Sequence, residues 1–310
     1  MATVSTGAAA KLLWPGLNEL FGVYYKNHPL ECTEIFGASK SSDKNWEEDY
    51  GLMTFGLAPV KAEGTGISYD EWKQTYLKRY THIVYGLGCI ITREMLEDDQ
   101  YNIARIISGK GDNMVNALSF SLRTTKETVA ANVLNRAFNS SYTGGDAKEL
   151  LSTAHPLGGA GTFSNRMTVD ADISEAALEQ ACIDIDGFVD ERSNQIAVRA
   201  KKVIVHRNNQ FDISRILEST LQNDSSNNAI NALAASNSIP EGFVRNHYLT
   251  DTDAWFIKTD CPNGMKHFER RGAEFQTDND FDTENAKFKA TERYSFGWTD
   301  PRGMYGSSGA

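Results

Sequence analysis

Two stretches of this chain alternate like β-strands yet carry apolar and polar side chains on both faces, and this constrains the fold more than any other feature. From Trp46 to Ala58 and again from Tyr76 to Tyr85, aromatic and β-branched residues recur at strand spacing, separated by Pro59, Gly64, Thr65 and Gly66. The pattern predicts a long β-hairpin. On its second limb Tyr76, Lys78, Tyr80, His82 and Val84 share one face, and Leu77, Arg79, Thr81, Ile83 and Tyr85 share the other. A two-stranded ribbon with so little apolar surface is marginal in water. It is expected to dock on a neighbour.

Residues 1–40 are rich in small residues, with isolated aromatics such as Trp14, Phe21, Tyr24 and Tyr25. They read as an arm that gains order by lying on something else. After the ribbon, Val115, Leu118, Leu122, Val129, Val133, Leu134 and Ala137 recur at helical spacing. They predict a long amphipathic helix over 113–138, roughly 40 Å long. It ends at Asn139, Ser140, Ser141, Gly144 and Gly145. A Gly-rich loop, 154–165, precedes a helix from about Ser174 to Glu191, then a strand Lys202 to His206 and a shorter helix near Arg215-Ile216-Leu217. Strand signals return at Ala254 to Ile257, Met265 to Arg270 and Ala286 to Trp298. The order indicates an α+β fold.

Composition narrows the function. With 310 residues, 40% of them hydrophobic, the chain can bury a sizeable core. Thirty-one Lys and Arg against 41 Asp and Glu give a net charge of −10, so the overall field repels phosphate and no basic nucleic-acid footprint is present. No secretory signal is expected, since Pro15 and Gly16 interrupt the short run Leu12, Leu13, Trp14. Cys32, Cys89, Cys182 and Cys261 are widely spaced and read as reduced thiols.

Catalytic motifs are weak. The six histidines form no closely spaced ligand pair, so no metal is expected, and Gly86-Leu87-Gly88 and Gly109-Lys110-Gly111 lack the third glycine of a dinucleotide fingerprint, so no cofactor is expected either. His155, beside Pro156 and the glycines 158, 159 and 161, could be a general base on a mobile loop, but a turn fixed by Pro156 is the preferred reading. Asp184-Ile185-Asp186-Gly187 resembles part of a calcium loop, yet Cys182 and Ser193 stand at its first and twelfth positions. Asp278, Asp280, Asp282 and Glu284 form an alternating array that is either a solvated turn, a cation site or a contact for a basic partner.

Several segments then become informative together: Gly51-Leu52 through Gly66, Tyr80 to Gly88, Thr92 to Asp99, Tyr142 to Asp146, Ser152 to Pro156, Tyr248 to Phe256, and Arg293 to Gly303 closing with Tyr305-Gly306-Ser307. In this order they resemble the major head subunit of Mu-like phages and prophages, from about residue 40 to the C-terminus. The resemblance implies the Hong Kong ninety-seven phage capsid fold and a shell-building, non-enzymatic protein that forms pentamers and hexamers. It implies an N-arm over 1–40, an extended loop over 41–85 and a peripheral domain over 86–173 with its spine helix at 113–138. It further implies an axial domain over 174–250, return strands over 251–298 and a C-terminal segment over 299–310.

Too few residues precede the hairpin for a built-in scaffolding segment, so a separate scaffolding protein, a portal and packaged double-stranded DNA are the expected partners, with assembly in the host bacterial cytoplasm. Expected intersubunit contacts are Trp14 on the arm, Lys61, Lys73, Lys78 and Arg79 on the extended loop, and the acids Asp278, Asp280, Asp282 and Glu284. The alternatives are an encapsulin-type compartment, a phage tail-tube protein and an α+β hydrolase using His155.

Overall fold

In a computed structural model the described residues are 21–27, 29–92, 94, 114–159, 161–222, 229–280 and 282–310. Trp14 and most of the expected arm lie outside them. The long helix, α2 (Met114–Asn135), follows a short α1 (Cys32–Phe36) and spans about 33 Å. Its buried stripe is Val115, Leu118, Leu122, Ala130, Ala131 and Leu134, with Arg123, Lys126 and Glu127 in the same stripe. Val129 and Val133, which the apolar pattern assigned to the stripe, are only half-buried. Lys126 is held by Glu269 at 3.0 Å and Glu292 at 3.7 Å, and Glu127 accepts from the Cys32 N–H at 2.9 Å. Polar partners on facing elements thus allow charges inside the stripe.

Two four-stranded sheets carry the body. The first joins β1 (Lys40–Ser41), β10 (Met265–Asn279), β11 (Ala286–Trp298) and β4 (Ile83–Ile91), in that order. Its inner face packs Phe275, Phe288, Ala290 and Ile91 on the first half of α2 and on the helical segment 21–27. The second sheet joins β12 (Met304–Ser307), β9 (Trp255–Thr259), β7 (Ala200–His206) and β8 (Phe243–Asn246). Strand alternation feeds two cores from this one sheet. Val203, Val205, Trp255, Ile257 and Tyr305 face α3 (Glu175–Asp186), while Ile204, Phe256 and Met304 face α1 and the end of α2.

The sequence boundaries shift in physically legible ways. Helix α3 begins at the cap Ser174, whose Oγ accepts from the Ala177 N–H, and stops at Gly187 rather than continuing to Glu191. The strand expected over 265–270 runs on to Asn279 because β11 pairs with it along that whole length. The strand at 254–257 does not join the first sheet; it pairs with β7 and β12 in the second. The C-terminal segment is a core strand, with every residue of β12 buried.

Candidate assembly surface

The expected hairpin exists, but it is shorter and hinged differently. Its strands are β2 (Trp46–Met53) and β3 (Lys73–Thr81), paired from Trp46↔Thr81 to Met53↔Lys73. The second limb does not continue to Tyr85. At His82 the chain leaves the ribbon, because the ring is buried between Ser42 and Ser295, 3.1 and 3.0 Å away, and from Ile83 it pairs with β11. Residues 54–72 form no strand, consistent with Pro59, which lacks a backbone donor, and with Gly64 at φ +79°.

The ribbon root is seated on its own subunit. Tyr76 and Tyr80 of β3 lie on backbone without side chains: a Cβ on Gly145 would come within 2.9 Å of Tyr76, and one on Gly297 within 2.8 Å of Tyr80. The Thr299 hydroxyl donates to Asp49 at 3.1 Å, so the Tyr80 hydroxyl, 2.6 Å away, donates to Thr299. Lys266 pairs with Asp49 at 3.3 Å, closing this chain of contacts. Lys78 donates to the Thr143 carbonyl at 2.8 Å and lies 5.0 Å over the Trp298 ring.

A second fixture holds the neck. Arg192, on the turn after α3, donates through Nε to the Thr54 carbonyl and through Nη2 to the Glu71 carbonyl, both at 2.8 Å. It also pairs with Asp70 at 2.9 Å. Backbone N–H groups of Gly56 and Glu71, with Arg192 behind them, hold the Asp70 carboxyl below its usual range. The two ends of the loop are thereby tied together.

Beyond that neck the tip stands in solvent. Leu57 is 84% exposed, Val60 99% and Tyr69 94%, with Phe55, Ile67 and Trp72 also exposed. A second apolar strip lies on β4, the edge strand of the first sheet, where Ile83, Val84, Leu87 and Ile90 are exposed. Large apolar patches of this kind mark interaction surfaces, and an uncharged edge strand is open to a partner.

The loop cations expected at an interface divide. Lys61 is exposed at the tip and has no ion-pair partner among the described residues. Lys73 pairs with Glu71 at 3.0 Å, and Arg79 with Glu48 while stacking 4.3 Å over Trp46. The acidic array lies in the turn between β10 and β11, apart from Asp278, which is still within β10. Asp280 pairs with Lys287 at 2.5 Å, and this cation with the Asp282 backbone N–H holds its carboxyl below the usual range. Asp278, Asp282 and Glu284 are exposed. A regular strand would have set all four acids on one face; the turn disperses them.

His155 needs a correction. It is neither an exposed base nor an expendable turn residue. It sits in a two-residue strand, β5 (His155–Pro156), paired with β6 (Thr162–Phe163), and is 0% exposed. Its Nδ1 lies 2.6 Å from Asp146 and its Nε2 3.0 Å from Asn165 Oδ1. Asn165 Nδ2 donates to the carbonyls of Leu150, Pro301 and Met304, so Oδ1 must face His155, whose Nε2 donates. The cluster ties the 146–165 loop to the C-terminal strand and leaves His155 no access to a substrate.

Among the described residues no three His, Cys, Asp or Glu side chains stand together as metal ligands. Asp184 of the calcium-like stretch instead accepts from the Tyr305 hydroxyl at 2.5 Å. All four cysteines are free.

The ribbon neck and seat were not legible in advance. Arg192 sits alone in a polar turn, and only the pairs Gly144-Gly145 and Gly158-Gly159 hinted at backbone packed against something bulky.

Solved structures with similar folds include a virus-like particle from Pyrococcus furiosus, with 10% identity, a TM-score of 0.53 and coverage of 94% of this chain and 97% of that one. The procapsid of bacteriophage JBD30 matches with 11% identity and a TM-score of 0.53, covering 97% of this chain and 75% of that one. Mycobacterium phage Patience gives 10% identity and a TM-score of 0.53, covering 95% and 86%. These likenesses establish the Hong Kong ninety-seven type of α+β fold. No curated protein is close enough in sequence to count as a relative. The profile of the family described as phage capsid protein matches residues 76–307, three quarters of the chain, from the second ribbon strand to the C-terminal strand. The chain belongs to the phage capsid protein family.

Proposed function

We propose that this chain is the major subunit of an icosahedral phage head, assembling as pentamers and hexamers around double-stranded DNA and performing no catalysis. One observation carries the reading: the ribbon has a root fixed to its own subunit and a tip whose large apolar side chains stand in water. An exposed patch on a fixed stalk is unfavourable in a lone copy and favourable where further copies cover it. The edge strand β4 supplies a matching apolar acceptor.

The same reading gives residues 1–40 as an arm, 41–85 as the extended loop, 86–173 with 251–298 as a peripheral domain and 174–250 as an axial domain, ending in the segment 299–310. Intersubunit contacts would draw on Trp14, the apolar tip with Lys61, and the exposed acids Asp278, Asp282 and Glu284. Lys73, Lys78, Arg79 and Asp280, already held within the chain, would contribute less. A separate scaffolding protein, a portal and assembly in the host cytoplasm complete the proposal, and the Mu-like affiliation rests on sequence motifs.

A second reading, a compartment enclosing protein cargo, draws on the likeness to the virus-like particle from Pyrococcus furiosus, but the match to the phage capsid protein family favours the head. Electron microscopy of purified protein, with its nucleic-acid content, tests both. Closed shells associated with portal and DNA support the head; shells filled with protein support the compartment. A monomer showing hydrolytic activity would overturn both.

A further inference from the structure

We propose that the cavity between β1, the end of β9 and the start of β10 binds a small oxyanion, phosphate or carboxylate. The cavity has a volume of about 220 Å³, and Lys40, Lys258, Lys266 and Asn263 line it above a floor of Gly264 and Gly303. Three lysines thus line one cavity of a protein whose net charge is −10, and the ammonium groups of Lys40 and Lys266 are close enough to act on each other.

The carboxylates nearby do not balance them. Lys266 is buried and pairs with Asp49 at 3.3 Å, but Asp49 also accepts from Thr299. Lys258 donates to the Glu34 backbone carbonyl at 3.0 Å, a neutral acceptor. Neither Lys40 nor Lys258 has a carboxylate within ion-pair distance among the described residues. Lys202 takes the Glu34 side chain at 2.6 Å and shares Glu241 with Lys201. Arg302 holds Asp300 at 3.3 Å, and the Cys261 thiol lies 3.7 Å from the same carboxylate. Burial pushes the Lys266 ammonium below the usual lysine range, and the neighbouring Lys40 adds to the depression that Asp49 opposes.

The remaining geometry favours an acceptor-only guest. Asn263 Oδ1 accepts from Lys266 at 2.8 Å, which leaves its NH₂ group as a donor. A Cβ on Gly264 would meet the Gly303 Cα at 2.7 Å, so the two glycines pack backbone to backbone where they line the cavity. A phosphate or a side-chain carboxylate can enter such a cavity; a duplex backbone cannot follow its phosphates into it.

The test titrates inorganic phosphate into purified protein at constant ionic strength, with chloride as control, and follows heat and thermal unfolding. Saturable binding is expected, weakened about tenfold by Lys40→Gln and by Lys258→Gln, since each removes a charge-assisted hydrogen bond. Both side chains reach the surface, and thermal unfolding without phosphate checks that the variants fold; Lys266 is left intact because it is buried.

Comparing dissociated subunits with assembled shells separates the two sources of the anion. Binding by both points to free phosphate, and binding by subunits alone points to a carboxylate of a second copy occupying the cavity in the shell. Phosphate behaving like chloride, or binding unchanged in the Lys40→Gln, Lys258→Gln double variant, overturns the proposal.

Discussion

Replacing Leu57 and Val60 together by serine separates the folding of the subunit from its assembly. In the single chain these side chains are 84% and 99% exposed, so removing them deletes almost no buried contact. Surface changes of this kind alter stability by about 0.5 kcal/mol or less. Covering the two side chains with another copy would stabilise a contact by roughly 1.5–3 kcal/mol each. Taking about 2 kcal/mol apiece, the double variant loses about 4 kcal/mol per contact, nearly a thousandfold in pairwise affinity. Thermal unfolding of dissociated subunits should therefore be unchanged. Light scattering and sedimentation against protein concentration should show the assembly threshold rising by at least tenfold, even if only half the area is covered. An unchanged threshold would show that the tip faces solvent in the shell, and the central argument of the proposed function would fall.

Other perturbations probe the interior. His155→Ala removes hydrogen bonds to Asp146 and Asn165 at 2.6 and 3.0 Å and leaves the nearly buried Asp146 carboxylate without its partner, so chemical denaturation should show a loss of about 3–5 kcal/mol; a loss under 1 kcal/mol would refute the network's role. Gly145→Ala would place a Cβ 3.0 Å from the Leu77 carbonyl oxygen, so denaturation should report a loss of about 1–3 kcal/mol with the ribbon displaced, and a neutral result would show the seat to be compliant.

His267 gives an acid-sensitive term. Burial, reinforced by Lys126, lowers its pKa from 6.5 to about 4, and the ring stacks 4.2 Å from Phe296. The unfolded chain therefore takes up a proton that the folded chain resists. Its contribution is fully present above pH 6.5, falls as pH drops towards 4, and levels off below. The total is about 3 kcal/mol. His267→Phe should flatten the stability profile between pH 6.5 and 4; an identical slope in the variant would refute this.

How much of this was legible follows from whether the signal is local. The period of α2, the start of α3 near Ser174 and the alternation of β2 and β3 are set by near neighbours in the chain, and each was legible. The pairing of β9 with β7 and β12 was not legible, because a short apolar strand buried on both faces reads the same in either sheet. Nor did pattern foresee Arg123, Lys126 and Glu127 in the buried stripe, since what they meet lies far away in sequence: the Tyr25 ring for Arg123, Glu269 and Glu292 for Lys126, and Cys32 for Glu127. The acidic array misled for a related reason: alternate spacing implies one face only while the strand persists, and β10 ends at Asn279.

The same distinction explains why the ribbon was both the clearest feature and the least determined. Its sequence states that it cannot stand alone, but not what it stands on. The structure divides the answer. The root takes its support from its own subunit, through Tyr76 and Tyr80 on bare glycine backbone and through Arg192 at the neck. The tip has no such support, and its apolar side chains remain exposed. A root held at two levels limits the directions in which the tip can project. Part of the orientational entropy of docking is then lost during folding rather than on contact. A contact with little to lose on docking can be individually weak and still form, and a shell repeats it in every subunit. Loosening the neck with Arg192→Ala should therefore impair assembly although Arg192 need touch no other copy. Adding Asp70→Ala to that variant should cost little more, because the two residues serve one fixture.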